Sequence, residues 1–367
     1  MYNPILSSLL ALALTIPLPL MAQTEAELPE QTALEEQRPA HSHHHTPSHA
    51  EHLHADTIPF GVMGAHMHPA GEWMFSASLM GAGMGGMLDQ TTAVDEQKIL
   101  DNYEMAPRTM LMGMPMLGVM YAPSDWITLM AMVPGMGMTM NHVGHEAHLH
   151  TLQTASANLP GTNMQSLGLG DISVSALLGN WTWQAHSLHA NLGLSLPTGA
   201  IDILGPVMGT MPAEPLPYSM RLGSGTWDLL PGFTYSGKLE NWCWGLQPSG
   251  VLRLSTNSLN YRLGNRLSTN AWLSYRWNDL LSSSLRFQGQ IWGNAEGEDS
   301  RISKNAIPSA DPLKLGGQRL DLFLGLNFTP FPRQRLGLEI GMPVYQNLSG
   351  PQMAQVWSGI AGWQISF

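Results

Sequence analysis

From Gly71 to the end, the chain alternates apolar with polar or small side chains at a period of two, and no helical period competes. "WMFSASLM" sets Trp73, Phe75, Ala77 and Leu79 against Met74, Ser76, Ser78 and Met80. "SLHANLGLSL" sets Leu188, Ala190, Leu192, Leu194 and Leu196 against His189, Asn191, Gly193 and Ser195. "RLDLFLGLNF" and "RLGLEIGMPV" repeat the pattern, with Arg319, Asp321, Arg335 and Glu339 on the polar side. Each run is about ten residues long, the length of a tilted strand that crosses a bilayer.

A soluble sandwich also alternates, so the connections decide. Short ones at 122–125, 179–186, 237–241, 278–279 and 330–334 alternate with long ones near 82–108, 134–168, 197–224, 254–265 and 294–316. Bacterial outer-membrane barrels show this asymmetry, with short turns in the periplasm and long loops outside. Trp126, Trp181, Trp183, Trp227, Tyr235, Trp242, Trp244, Tyr275 and Trp277 lie near strand ends, as an aromatic girdle requires. The fold expected is all-β: a closed antiparallel transmembrane β-barrel of about 12 strands. The strands fall near 72–81, 109–121, 126–134, 168–178, 187–197, 226–236, 242–253, 266–277, 281–292, 318–329, 335–346 and 352–367. An even number places both termini in the periplasm, and closure removes the strand edges that lipid could not satisfy.

Composition narrows the class. Of the 367 residues, 44% are hydrophobic and 12% charged; the net charge of −11 argues against nucleic acid as a partner. One cysteine, Cys243, excludes an internal disulfide and a thiolate cluster. Residues 1–22 read as a signal peptide with an apolar core from Ile5 to Leu20. Residues 23–60 show no apolar period and read as a disordered, His-rich periplasmic extension. Residues 61–367 form the barrel in the outer membrane, with outer-membrane lipid as partner. "AGWQISF" ends on Phe367, as in the terminal strand that barrels present to their insertion machinery.

The polar side of the first strands is unusual. Met74, Met80, Met110, Met112, Met114, Met116, Met120, Met130 and Met132 stand where later strands carry Arg253, Arg266, Asn270, Arg276, Arg286, Gln288 and Gln290. Met84, Met87, Met136, Met138 and Met140 extend them into loops, followed by His142, His145, His148 and His150. His66, Met67 and His68 precede the first strand, and His41, His43, His44, His45, His49, His52 and His54 lie in the extension. Thioethers suit Cu(I), and imidazoles suit Cu(II), Zn(II) and Ni(II), so a route or site for copper or silver is one expectation. Binding by the His tract should weaken below pH ~6, where imidazole protonates. Packing by a flexible apolar side chain, or an apolar path for hydrophobic solutes, explains the methionines as well. The arginines either select anions or pair with Asp321 and Glu339 to brace the interior. Bracing is expected, because the acids lie among them. No cofactor is required by any motif.

Several stretches resemble a family of bacterial outer-membrane proteins described as transporters, related to the barrels associated with meta-pathway phenol degradation. They include "AHMHPAGEWMFSASLM", "MLGVMYAPSDWITLMAMVP", "LGLSLPTGAID", "LGSGTWDLLPGFTYSG", "YRLGNR" and "PVYQNLSGPQ". The resemblance implies a barrel, passive transport and no catalytic residues. The leading expectation is passive passage of a small solute, with copper or another soft metal as cargo or ligand. Its rivals are a channel for hydrophobic or aromatic compounds and a surface metal buffer that transports nothing. Lipid hydrolysis would need a Ser–His pair on one lipid-facing strand edge, and none is found. No plug domain of obvious size precedes the first strand.

Overall fold

The computed structural model describes residues 57–144, 163–205 and 214–367. Eleven strands follow one another around a single antiparallel sheet. They are β1 (Trp73–Gln90), β2 (Met105–Ser124), β3 (Ile127–Gly144), β4 (Ser173–Trp183), β5 (His186–Ser195) and β6 (Asp228–Leu239), then β7 (Trp242–Arg253), β8 (Arg266–Arg276), β9 (Leu281–Trp292), β10 (Gly317–Phe331) and β11 (Gln334–Ser366). β11 returns to pair with β1, which closes the barrel.

β11 has 33 residues and would span roughly 110 Å if straight. It folds back instead. Its first part pairs with β10 and its second with β1, and Gln346 bonds Gln355 while Arg335 bonds Gln364. It therefore supplies two staves, and the wall has the twelve that the alternation requires.

The outer face is apolar all round: Leu79, Leu117, Leu192, Leu267, Leu324, Leu338 and Ile340 are exposed. Exposed Trp73, Trp126, Trp181, Trp183, Trp242, Trp277 and Phe367 ring the end that carries the short turns. That is a lipid-facing belt with an aromatic rim. The seam joins the two ends of the barrel sequence, where Trp73 and Phe367 exchange two backbone hydrogen bonds of 2.9 Å.

Among the described residues, much of two expected loops is strand. β1 runs on to Gln90, β2 starts at Met105, β3 reaches Gly144, and a further strand, Asn163–Leu169, pairs with the upper half of β3. Glycine-rich "GAGMGGM" and "PGMGMTM" read as loop because glycine weakens strands, yet their pairing partners hold them extended. β1 to β3 have 18 to 20 residues where β5 to β9 have 10 to 12. A bilayer needs about ten, so this side of the wall stands above it.

The segment before β1 is the larger correction. Thr57, Ile58 and Phe60 fall in the stretch expected to lie outside the barrel as a disordered extension, and all three are buried. Residues 57–68 run inside the lumen at the short-turn end. The rest of the expected extension, including its histidines from His41 to His54, lies outside the described residues, as do His145, His148 and His150.

Candidate functional site

The lumen wall holds the inner segment chiefly by its backbone. Asn327 Nδ2 and Arg335 Nη1 donate to the Ile58 carbonyl at 3.0 and 2.9 Å. Gln247 Nε2 donates to the Met63 carbonyl, and His189 Nε2 to that of Gly64, each at 2.9 Å. The Gly61 amide donates to Glu339, and the His68 amide to Thr128 Oγ1. These donors and acceptors come from β3, β5, β7, β10 and β11, so the segment is tied to most of the circumference. One side chain locks it. Phe60 lies over Gly337 and Gly362, where an added Cβ would come within 2.2 and 2.4 Å of its ring. The Arg335 guanidinium stands 5.4 Å from the same ring.

Above and beside this plug the arginine wall is braced, as expected. Arg286 donates to Glu339 at 2.8 Å and to Asn270 at 2.9 Å, and lies 3.9 Å over Phe323. Arg319 pairs with Asp321 at 2.8 Å, and Arg253 pairs with Asp228. A second network ties the outer loops: Arg221 and Arg301 both donate to Asp299, at 2.7 and 2.9 Å. These two guanidiniums hold the Asp299 carboxyl below the usual carboxylate range.

The opposite wall is methionine. Cross-strand register puts Met84, Met110, Met140 and Met164 in one row and Met112 beside Met138. Met74, Met120 and Met130 form a lower row, with Met132 beside Gly118, while Met114 faces Met80 and Met116 faces Ser78. The upper row is packed, not open. Met105, Met110, Met138, Met140 and Met164 are buried against Leu216, Met220, Leu222, Ile307 and Ala310 from the outer loops, with Met112 and Met136 alongside. The lower row packs on Leu177 and on Met67 of the plug. Expected loop ligands Met136, Met138, Met140 and His142 are therefore strand residues, and His142 is buried.

His66 and His68 sit in the plug with rings 4.8 Å apart, and His68 Nδ1 lies 3.2 Å from Glu72. Among the described residues no three His, Cys, Asp or Glu side chains converge to hold a metal ion. One small cavity, about 20 Å³, lies between plug and wall; Met63, His66, Met74, Met120, Met130 and Met132 are among its lining residues. Two further histidines are engaged elsewhere. His189 holds Gly64, and His186 Nδ1 is 2.9 Å from the Tyr235 hydroxyl.

Sequence reasoning missed the plug and the loop methionine Met220. The available signal for the plug was the alternation of Ile58, Phe60 and Val62 at the end of a polar stretch.

No protein-family profile matches the chain, and no curated protein does. Solved structures do. The COG4313 outer membrane channel from Pseudomonas putida F1 is 14% identical, with a TM-score of 0.57 over 83% of this chain and 99% of that one. The P. putida toluene transporter TodX is 11% identical, with a TM-score of 0.42 over 82% and 90%. The KdgM porin is 9% identical, with a TM-score of 0.36 over 79% and 99%. The first of these shares the fold, a closed antiparallel β-barrel.

Proposed function

We propose that this chain is an outer-membrane channel for passive passage of small apolar solutes, aromatic compounds included. The observation that carries the proposal is the interior surface. An ion or sugar pore is lined by polar groups and water. Here the lumen side of β1 to β3 is a sheet of thioethers, and it meets apolar loops at one end and a plug with buried Ile58, Val62 and Ala65 at the other. Such a lining favours solutes that partition out of water, because transfer of apolar surface is worth about 25 cal/mol per Å². The plug sets the resting state as closed, so passage requires Phe60 to leave its glycine notch. The fold shared with a solved outer-membrane channel agrees with this reading.

The test is toluene entry into vesicles whose outer leaflet is lipopolysaccharide. Toluene should enter faster than into protein-free vesicles, and glucose should not. Equal toluene entry with and without protein would sink the proposal.

A second reading rests on the cavity of thioethers and imidazole: a soft cation, Cu(I) or Ag(I), held between plug and wall. Titration of Ag(I) into the purified barrel should then show a site that Met130→Leu with Met132→Leu abolishes. No saturable site in the parent protein rules this out.

A further inference from the structure

The lumen arginines are not all equivalent. Arg286 has Glu339, Arg319 has Asp321, Arg253 has Asp228, and Arg335 has Gln364 and the Ile58 carbonyl. Arg266 has no acid partner among the described residues. It opens β8, and its face is settled by alternation. Asn270, Trp272 and Ser274 on its side are buried, whereas Leu267 and Leu273 on the other are exposed to lipid. Its register partners are Val251 and Trp292. The charges that bear on it are Arg253 and Arg319, which stand near the same outer ends of β7 and β10.

Three guanidiniums thus share this part of the lumen with two carboxylates, Asp228 and Asp321. One positive charge is left over, on a side chain that is exposed in the lumen and so open to an anion from solution. A second observation points the same way: Arg253 Nε is buried without an acceptor among the described residues. An aromatic face is at hand. The Trp292 ring lies 5.9 Å from the Arg319 guanidinium, and its indole donates to the Leu315 carbonyl, which fixes the ring.

We propose that Arg266, with Arg253 Nε and the Trp292 ring, forms an anion-selecting station in the lumen for solutes that carry a carboxylate or sulfonate on an apolar, aromatic body. The oxyanion bridges Arg266 and Arg253, and the body leaves water for the Trp292 face and the apolar lining. Bidentate guanidinium–oxyanion contact gives the selectivity, and the lining accepts the rest of the molecule. This rests on the channel reading above and narrows it: a neutral arene uses the lining alone, and an arene anion also uses the arginines.

The experiment compares benzenesulfonate with phenyltrimethylammonium, which share an aromatic body and carry fixed opposite charges. Neither crosses lipid unaided. Fluxes are measured into vesicles holding the full chain, the Arg266→Gln variant or the Arg266→Lys variant. The intact channel should pass the sulfonate about tenfold faster than the ammonium; Arg266→Gln should bring the two within about twofold, and Arg266→Lys should keep most of the preference. Equal fluxes in the intact chain, or a preference that Arg266→Gln leaves untouched, would overturn the station. Toluene entry in the same preparation separates the two ideas. If toluene passes without anion preference, the channel stands and the station falls. If neither toluene nor the sulfonate passes, both fall.

Discussion

At the scale of single residues, the plug depends on one ring in one notch. Gly337 and Gly362 are adjacent across the two staves of β11, and only the absence of two Cβ atoms makes room for Phe60. Removing a buried phenyl ring costs roughly 3–5 kcal/mol in a packed core. Phe60→Ala should therefore unseat the segment, and single-channel recordings should show a larger and longer-lived open conductance than the parent. Gly337→Val should do the same from the wall side, by filling the notch. If both variants conduct like the parent, Phe60 does not hold the closed state. None of this could be read from "TIPFGVMGAHMH" alone. Three alternating apolar residues are too few to mark a strand, and nothing in the sequence says that they face a pair of glycines 277 and 302 positions away.

At the scale of elements, the methionine wall separates packing from ligation. Met and Leu have similar volumes, so replacing Met110, Met138 and Met140 by Leu should cost less than about 1.5 kcal/mol each, and replacement by Ala about 2–5 kcal/mol each. Urea unfolding of the barrel measures both. A large loss from the Leu variants would show that sulfur chemistry, not volume, matters there. The outer loops are held by charge instead. Asp299→Asn leaves the buried Arg221 guanidinium without its counterion, at about 3–5 kcal/mol. The pH dependence follows in sign. Asp299 titrates lower folded than unfolded, so its stabilisation is complete above the ordinary carboxylate range and is lost as pH falls toward the depressed value. Proteolysis of the 295–302 loop should accelerate on acidification from about pH 4 downward, and the Asn variant should show less of that dependence. The strands between short turns were legible: 242–253 and 281–292 have the bounds that alternation gave them. The upper reaches of β1 to β3 were not, because glycine and proline mask strands that are stabilised only by their neighbours.

For the whole molecule, closure is the decisive constraint. Twelve staves lie between barrels filled by side chains, with about eight strands, and open porins with about sixteen. A wall of this size leaves a lumen too wide for side chains to fill and narrow enough for a twelve-residue segment to close. The sequence announced the wall through its period, but the filling depends on which distant residues the closed sheet brings face to face. The last seam is made by two hydrogen bonds between Trp73 and Phe367 and by the stacking of Phe367 on Phe75, 5.5 Å between centroids. Removing Phe367 should lower the yield of folded barrel in the outer membrane, read as the fraction that keeps compact mobility on unheated gels. An unchanged fraction would mean that the rest of the β1–β11 register closes the wall without it.

The polar side chains of the wall address carbonyls and amides of the inner segment, at Ile58, Gly61, Met63, Gly64 and His68, far more than its side chains. A peptide bond looks the same whatever residue carries it. The identities of Ile58, Phe60, Val62 and Ala65 are held by burial and those of Gly61 and Gly64 by close approach and backbone angle, but the wall's hydrogen bonds to the segment hold no side chain, while Asn327, Arg335, Gln247, His189 and Thr128 are not free to change. Divergent relatives should keep the socket and rewrite the stopper only at its less buried positions.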